Sequence, residues 1–301
     1  MARSKITAKL NQKVASNPAT SIGPPNAAVM IPMMAHKPPR INIIRANTPI
    51  TYLLYFVMNS ARQVPSFILF HSYYIINSDN TMRLAKNLYF YPERGILDCN
   101  TYVIKGNPTI IIDPGSTQFL TALLQELHQD GIDAEDIDII TNTHLHCDHC
   151  SANEALKQLS AARILSHPLQ KKFYNVSVIE TAKFFSLPPM KFTADGYIDS
   201  SKLDTGDMEV ELIPSPGHSP DSICFYCQKD KLLICGDVIF AGSTGRVDLP
   251  GGNADELRQS IEALSRLEIE YLLPGHMDIV TSGEKVKTNF DFIKRSVLRW
   301  L

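Results

Sequence analysis

The sequence predicts an α/β sandwich over residues 82–301, with helices packed outside two sheets. Two observations carry that expectation. Short apolar runs of strand character take turns with amphipathic runs of helical period, and no fixed-period repeat of the solenoid kind interrupts them. The chain also has the size, 301 residues with 44% hydrophobic side chains, to bury one substantial core.

Beyond Met82 and the stretch leading out of it, residues 100–104 and 109–113 read as strands. Residues 118–128 follow as a helix that places Leu120, Leu123, Leu124 and Leu127 on one face. Residues 137–141 form a short buried strand that empties into Thr143-His144-Leu145-His146-Cys147-Asp148-His149. Ser151 and Glu154 make a capping-box pair and so predict a helix through Leu159. Strands are expected at 163–166, 208–213, 222–227 and 231–235, and helices at 255–267 and 284–301; a strand at 270–273 ends in Pro274-Gly275-His276.

Residues 1–81 read differently. Up to residue 80 they hold eight Lys or Arg against one acid, Asp79, and they carry Pro24-Pro25 and Pro38-Pro39 without an amphipathic period. The apolar tracts at 49–58 and 67–70 are broken by polar residues, so neither predicts a membrane span and no membrane partner is expected. A transit peptide, an atypical signal sequence and a disordered basic tail all suit this composition. The favoured reading is a stretch upstream of the true start at Met82. After residue 80, 30 acids face 21 Lys and Arg, which argues against nucleic acid as a partner. Six cysteines, thinly spread over a chain of this size, predict free thiols and a reducing, cytoplasmic compartment.

Chemistry concentrates after the strand at 137–141. His144, His146, Asp148 and His149 put four potential ligands in six positions, and three of the nine histidines of the chain fall there. His144 and His146, two apart on an extended segment, can approach one ion from the same side, while the turn into a helix lets Asp148 and His149 face another. His218, Asp237 and His276 each follow a glycine at the end of an apolar strand, where close backbone approach can aim a side chain past the sheet edge.

This set, His144-Leu145-His146-Cys147-Asp148-His149 with His218, Asp237 and His276 in order, resembles the dinuclear ligand set of the metallo-β-lactamase superfamily over about residues 84–301. The resemblance implies an αββα four-layer sandwich in which His144, His146 and His218 hold a first metal. Asp148, His149 and His276 would hold a second, and Asp237 would bridge both. Imidazole and carboxylate donors suit zinc, so two Zn ions per chain are expected, with Fe or Mn as alternatives. A hydroxide between the ions is the expected nucleophile, since the metals lower the pKa of bound water, and Asp148 is the expected catalytic residue that orients it. Within the superfamily, Gly236-Asp237-Val238-Ile239-Phe240 and Gly245-Arg246-Val247-Asp248-Leu249-Pro250-Gly251-Gly252 resemble glyoxalase II, which implies a small-molecule substrate, an acyl thioester. The 25 residues after His276 are too few for the C-terminal helical domain that helps bind glutathione in that branch, so the thioester chemistry is implied without glutathione as its thiol.

Arg246 is a candidate substrate contact, although an ion pair with Asp248 that steadies the loop is the stronger expectation. Cys147 and Cys150 are expected as small packed residues. Cys224 and Cys227, three apart on a strand, should face opposite sides and form neither a zinc knuckle nor a redox pair. His167 reads as structural, and His36, His71 and His128 have no ligand neighbours. Three other functions share the same residues. A mononuclear-iron persulfide dioxygenase would use His144, His218 and Asp237, and a lactonase or β-lactamase would differ in its pocket loops. A non-catalytic metal-stabilised domain would close its site, whereas seven His and Asp ligands for two ions leave room for water. A nuclease is disfavoured by the acidic charge.

Overall fold

The computed structural model of the protein describes residues 83–301 apart from Lys86 and Asp199. The segment 1–81, with His36 and His71, lies outside the described residues. Seven strands form the first sheet in chain order: β1 (Arg83–Ala85), β2 (Leu88–Tyr91), β3 (Thr101–Ile104), β4 (Ile110–Ile112), β5 (Ile139–Thr141), β6 (Arg163–Ser166) and β7 (Gly196–Tyr197). The pairs from β1 to β4 are antiparallel and those from β4 to β7 parallel. Parallel neighbours need crossovers. α1 (Leu120–Gln129) supplies the first, α2 (Cys147–Cys150) and α3 (Asn153–Ser160) the second, and α4 (Pro168–Tyr174) and α5 (Thr181–Phe184) the third. The second sheet holds β8 (Lys202–Asp204), β9 (Glu209–Pro214), β10 (Ile223–Cys227), β11 (Leu232–Gly236), β12 (Tyr271–Pro274) and β13 (Val280–Thr281), in the order β13-β12-β11-β10-β9-β8. β11 and β12 run parallel, joined through α6 (Ala254–Leu264), and α7 (Gly283–Phe292) follows β13.

The period of two along each strand assigns side chains to layers. Tyr102 and Ile104 of β3, Ile110 and Ile112 of β4, and Leu232 and Ile234 of β11 fill the space between the sheets. Val103, Ile111 and Ile140 turn outward onto Leu120, Leu123 and Leu127 of α1 and Leu156 of α3. Leu233 and Cys235 turn the other way onto Leu257, Ile261 and Leu264 of α6 and Val286 and Phe290 of α7. Each fully buried Leu or Ile contributes about 1.5–3 kcal/mol relative to an exposed position. The result is the four-layer α/β/β/α sandwich. Cys227 sits between the sheets and Cys224 beneath the outer helices, on opposite faces, and all six cysteines are free.

Some local expectations fail. The Ser151–Glu154 capping box does not form: α3 starts after Ala152, and the Ser151 hydroxyl accepts a hydrogen bond from the Thr117 amide (3.2 Å) instead. The helix expected at 284–301 is regular only as α7, then widens into a π turn at Ile293–Val297 and closes as a 3-10 turn at Leu298–Trp300. α4 and α5 break the expected alternation. His167 caps α4: its Nδ1 accepts from the Leu169 amide (3.2 Å), and its own amide donates to Gln170 Oε1 (2.9 Å). Among the described residues, no helix is long and apolar enough to cross a membrane.

Candidate metal centre

Seven side chains converge where the carboxyl ends of β5, β9, β11 and β12 open at one edge of the sandwich. The loop after β5 delivers His144 and His146, and α2 delivers Asp148 and His149. Four residues beyond β9 comes His218, while Asp237 and His276 follow β11 and β12 within two residues. Three donor groups form, each within 4.8 Å: His144, His146 and His218; His144, His149 and Asp237; Asp148, His149 and His276. The structure therefore brings together every ligand expected from the sequence. Gly275 is required by this crowding, because a Cβ there would run into Asp237 Oδ1 and His149 Cε1.

The loops are tied to one another across the two sheets. At the start of β3, Asn100 donates from its amide to Gly275 O (2.7 Å) and from Nδ2 to Pro274 O (3.0 Å) and Met277 O (2.9 Å). Tyr102 Oη adds a bond to Pro274 O (2.7 Å), and the Ile223 amide donates to Thr143 O (2.7 Å). Asp221 is fully buried behind the cluster; its Oδ2 accepts from the Leu145 amide (3.0 Å) and its Oδ1 from the hydroxyls of Ser177 (2.6 Å) and Ser219. Burial pushes the Asp221 carboxyl up, against these three donors.

A hydrogen-bond partner fixes the outward nitrogen of four imidazoles. Thr143 Oγ1 donates to Asp113 Oδ2 (2.6 Å) and so accepts from His144 Nδ1 (3.1 Å). Asp113 Oδ2 also accepts from His149 Nδ1 (3.0 Å), the Arg246 carbonyl from His218 Nδ1 (2.7 Å) and Glu93 Oε2 from His276 Nδ1 (2.7 Å). Their Nε2 lone pairs consequently face the centre. His144 Nε2 and His218 Nε2 then flank His146 Nδ1 at 3.1 and 2.9 Å. One proton on His146 cannot serve both, so at least one pair of lone pairs is left opposed. His149 Nε2 and Asp237 Oδ1, 3.3 Å apart, are buried without a hydrogen bond. Opposed lone pairs and an orphaned carboxylate oxygen are what a cation would satisfy, so the donor set fits a metal.

Electrostatics agree. Burial, with His149 and His146 beside it, holds His144 well below the usual histidine range, and burial with His218 lowers His146 to about 3. Both are therefore neutral near pH 7, the form in which an imidazole can bind a metal. Burial works against ionisation of Asp148 and Asp237, yet His149 and His276 keep both carboxyls low. Burial would lower His276, but Asp237, Asp148 and Glu93 push it up to about 12. The cluster thus draws in positive charge.

The two halves differ in access. His144 and His149 are buried away from the cavity of about 380 Å³; His146, His218 and Asp237 are buried but reach its wall, and Asp148 and His276 stand half-buried on the same wall. Arg246 lines the cavity, and its guanidinium meets Asp248 through two 2.6 Å bonds, the ion pair expected from the sequence. Cys150 packs with Leu145 and Val178, whereas Cys147 reaches the cavity wall. His128 pairs with Asp133 at the surface (2.6 Å), away from the centre. Asp113, Glu93 and Asp221 are the residues sequence reasoning missed. Asp113 left a signal, an acid closing an apolar strand; Glu93 and Asp221 act on partners 183 and 76 positions away, and neither is marked in the sequence.

The metallo-beta-lactamase superfamily pattern matches residues 94–276. A probable metallo-hydrolase of Methanocaldococcus jannaschii is 35% identical over 188 residues, which cover 60% of this chain and 88% of that protein. The hydroxyacylglutathione hydrolase GloC of Haemophilus influenzae is 31% identical over 186 residues, covering 60% and 84%. Among solved structures, the B3 metallo-beta-lactamase BLEG-1 is similar with a TM-score of 0.58 at 26% identity, over 68% of this chain and 99% of that one. TTHA1623, crystallised in a di-iron-bound form, gives 0.55 at 28% identity, over 66% and 98%.

Proposed function

The chain belongs to the metallo-beta-lactamase superfamily, and on that premise we propose that it is a dinuclear metal-dependent hydrolase that cleaves an acyl thioester. The observation that carries the reading is the donor set itself: two groups of three that Asp237 can join, both reaching the wall of one cavity. His144, His146 and His218 would hold one ion and Asp148, His149 and His276 the other, with zinc suited to such donors. When bound there, the ions supply Lewis acidity, lowering the pKa of water towards neutrality and polarising a carbonyl.

The chain's own residues do the rest. Asp148 stands half-buried at the cavity wall, with Oδ2 3.4 Å from His276 Nε2, where its carboxylate can accept a hydrogen bond from the attacking water and aim the oxygen at the substrate. Asp113 and Glu93 keep His149 and His276 from rotating away. Phe240, edge-on to His276 with ring centroids 5.9 Å apart, covers one side of the site. In the reaction the water oxygen bonds to the acyl carbon, the C–S bond breaks, and the sulfur leaves with a proton as the thiol. The thioester part of the reading draws on the likeness of residues 236–252 to glyoxalase II and on the GloC relative. Six free cysteines accord with a reducing, cytoplasmic setting.

The test is a hydrolysis screen of zinc-loaded protein against S-lactoylglutathione, other acyl thioesters, lactones and β-lactams, with metal content measured alongside. Thioesters should lead. A lactone or β-lactam cleaved far faster would overturn the thioester assignment, and one iron per chain with oxygen uptake on a persulfide would replace hydrolysis by dioxygenation.

A further inference from the structure

Beside the half-exposed donors, the cavity wall is apolar. Leu97, Phe185, Phe240, Leu249 and Met277 line it, and they come from four separate segments of the chain. Phe240 and Leu249 lie deep, while Leu97, Phe185 and Met277 are 42%, 38% and 51% exposed. Exposed large apolar side chains gathered around one opening mark a binding surface. Leu97 and Met277 also adopt left-handed backbone conformations, with φ of 64° and 66°, which side chains with a Cβ seldom take. Their neighbours in the chain extend the apolar character: Ile96 is 89% exposed and Phe184, edge-on to Phe185, 54%.

Lysine and arginine are scarce on the same wall. Arg246 is the only Lys or Arg among the described residues that line the cavity, and Asp248 already engages its guanidinium through Nε and Nη2. A glutathione thioester would have to set its charged tripeptide against a wall whose one Lys or Arg among the described residues is already paired.

We propose that the substrate is a thioester of an apolar acyl chain of medium length on a small uncharged thiol, with the chain lodged against Leu97, Phe185 and Met277 and the thioester carbonyl at the Asp148 end. The bonds made and broken are those of thioester hydrolysis, and the inference rests on that reading. Polar acyl groups such as lactoyl would give up the contact that the wall provides.

The experiment measures kcat/KM of zinc-loaded protein for acetyl, butanoyl and hexanoyl thioesters of N-acetylcysteamine, for hexanoylglutathione and for S-lactoylglutathione. Full burial of a methylene is worth up to about fourfold, so an open wall should give about twofold per methylene from acetyl to hexanoyl. The N-acetylcysteamine ester should exceed the glutathione ester of the same acyl group. Phe185→Ala and Leu97→Glu should flatten the chain-length slope at unchanged metal content. Calorimetric titration of the non-hydrolysable hexyl and methyl thioethers of N-acetylcysteamine provides a readout free of turnover. A flat series, or S-lactoylglutathione as the best substrate, overturns the apolar assignment and leaves thioester hydrolysis standing. No turnover of any thioester, with the hexyl thioether still bound more tightly than the methyl one and released by Leu97→Glu, removes the reaction and keeps the apolar site.

Discussion

His144, His146 and His218 are buried, although the last two still touch the cavity, whereas Asp148 and His276 stand half-exposed on its wall. The more buried half has three imidazoles, of which His144 is oriented by a threonine hydroxyl and His218 by a backbone carbonyl. The open half has a carboxylate, and its histidines are oriented by the carboxylates of Asp113 and Glu93. Enclosure suits retention of an ion, and exposure beside a charged acceptor suits handling water and substrate. On the dinuclear reading the centre would divide holding from reacting between its halves, with Asp237 within 3.5 Å of donors from both.

Removing metal should have the largest effect because it empties both halves. Prolonged chelation followed by desalting should lower turnover on the order of 10³-fold or more, and added zinc should restore it. Activity that survives with no metal detectable would end the comparison altogether. Next in size, Asp148→Ala should reduce turnover by ~10²–10⁴-fold while circular dichroism stays native. His144→Ala should act differently, reducing the metal retained after gel filtration. If the two variants lose metal and activity in parallel, the division of labour is wrong.

Glu93→Gln comes third. Losing a carboxylate behind a ligating histidine typically weakens metal binding ~10–100-fold, and only the more weakly held ion should respond in a calorimetric titration. Asp113→Asn should weaken both ions, because Asp113 reaches His149 directly and His144 through Thr143. Smallest of all is the effect of starting the chain at Met82. Turnover and thermal midpoint should match those of the full chain, and a drop in either would show that residues 1–81 serve the domain.

Of the strands that carry the centre, β5 and β11 were legible because both their faces are buried, which leaves the apolar runs Ile139–Thr141 and Leu232–Gly236, while β9 alternates buried and exposed residues. The ligands were legible for a related reason, since polar side chains abruptly follow apolar runs at His144, Asp237 and His276. Short elements were not. β7 and β13 are two residues each and owe their form to the neighbouring strand. The Ser151–Glu154 pair had the right spacing for a cap, but the tight turn of α2 moved the start of α3, and Ser151 found Thr117 instead. Long-range partners such as Glu93 and Asp221 escape a local reading altogether, because what defines them is who they meet.

The ties between Asn100, Tyr102 and the loop bearing His276, and between Ile223 and Thr143, consist of hydrogen bonds that involve no metal donor. These ties let the fold hold part of the cage by itself, beside whatever its guest contributes. A centre held in this way depends less on what a cation can organise around itself. Discrimination passes to intrinsic donor preference and to whichever ion the cell leaves free in greatest supply. The metal found in a purified sample would then report the growth medium as much as the protein, and the same chain could be harvested with different metals from different cultures.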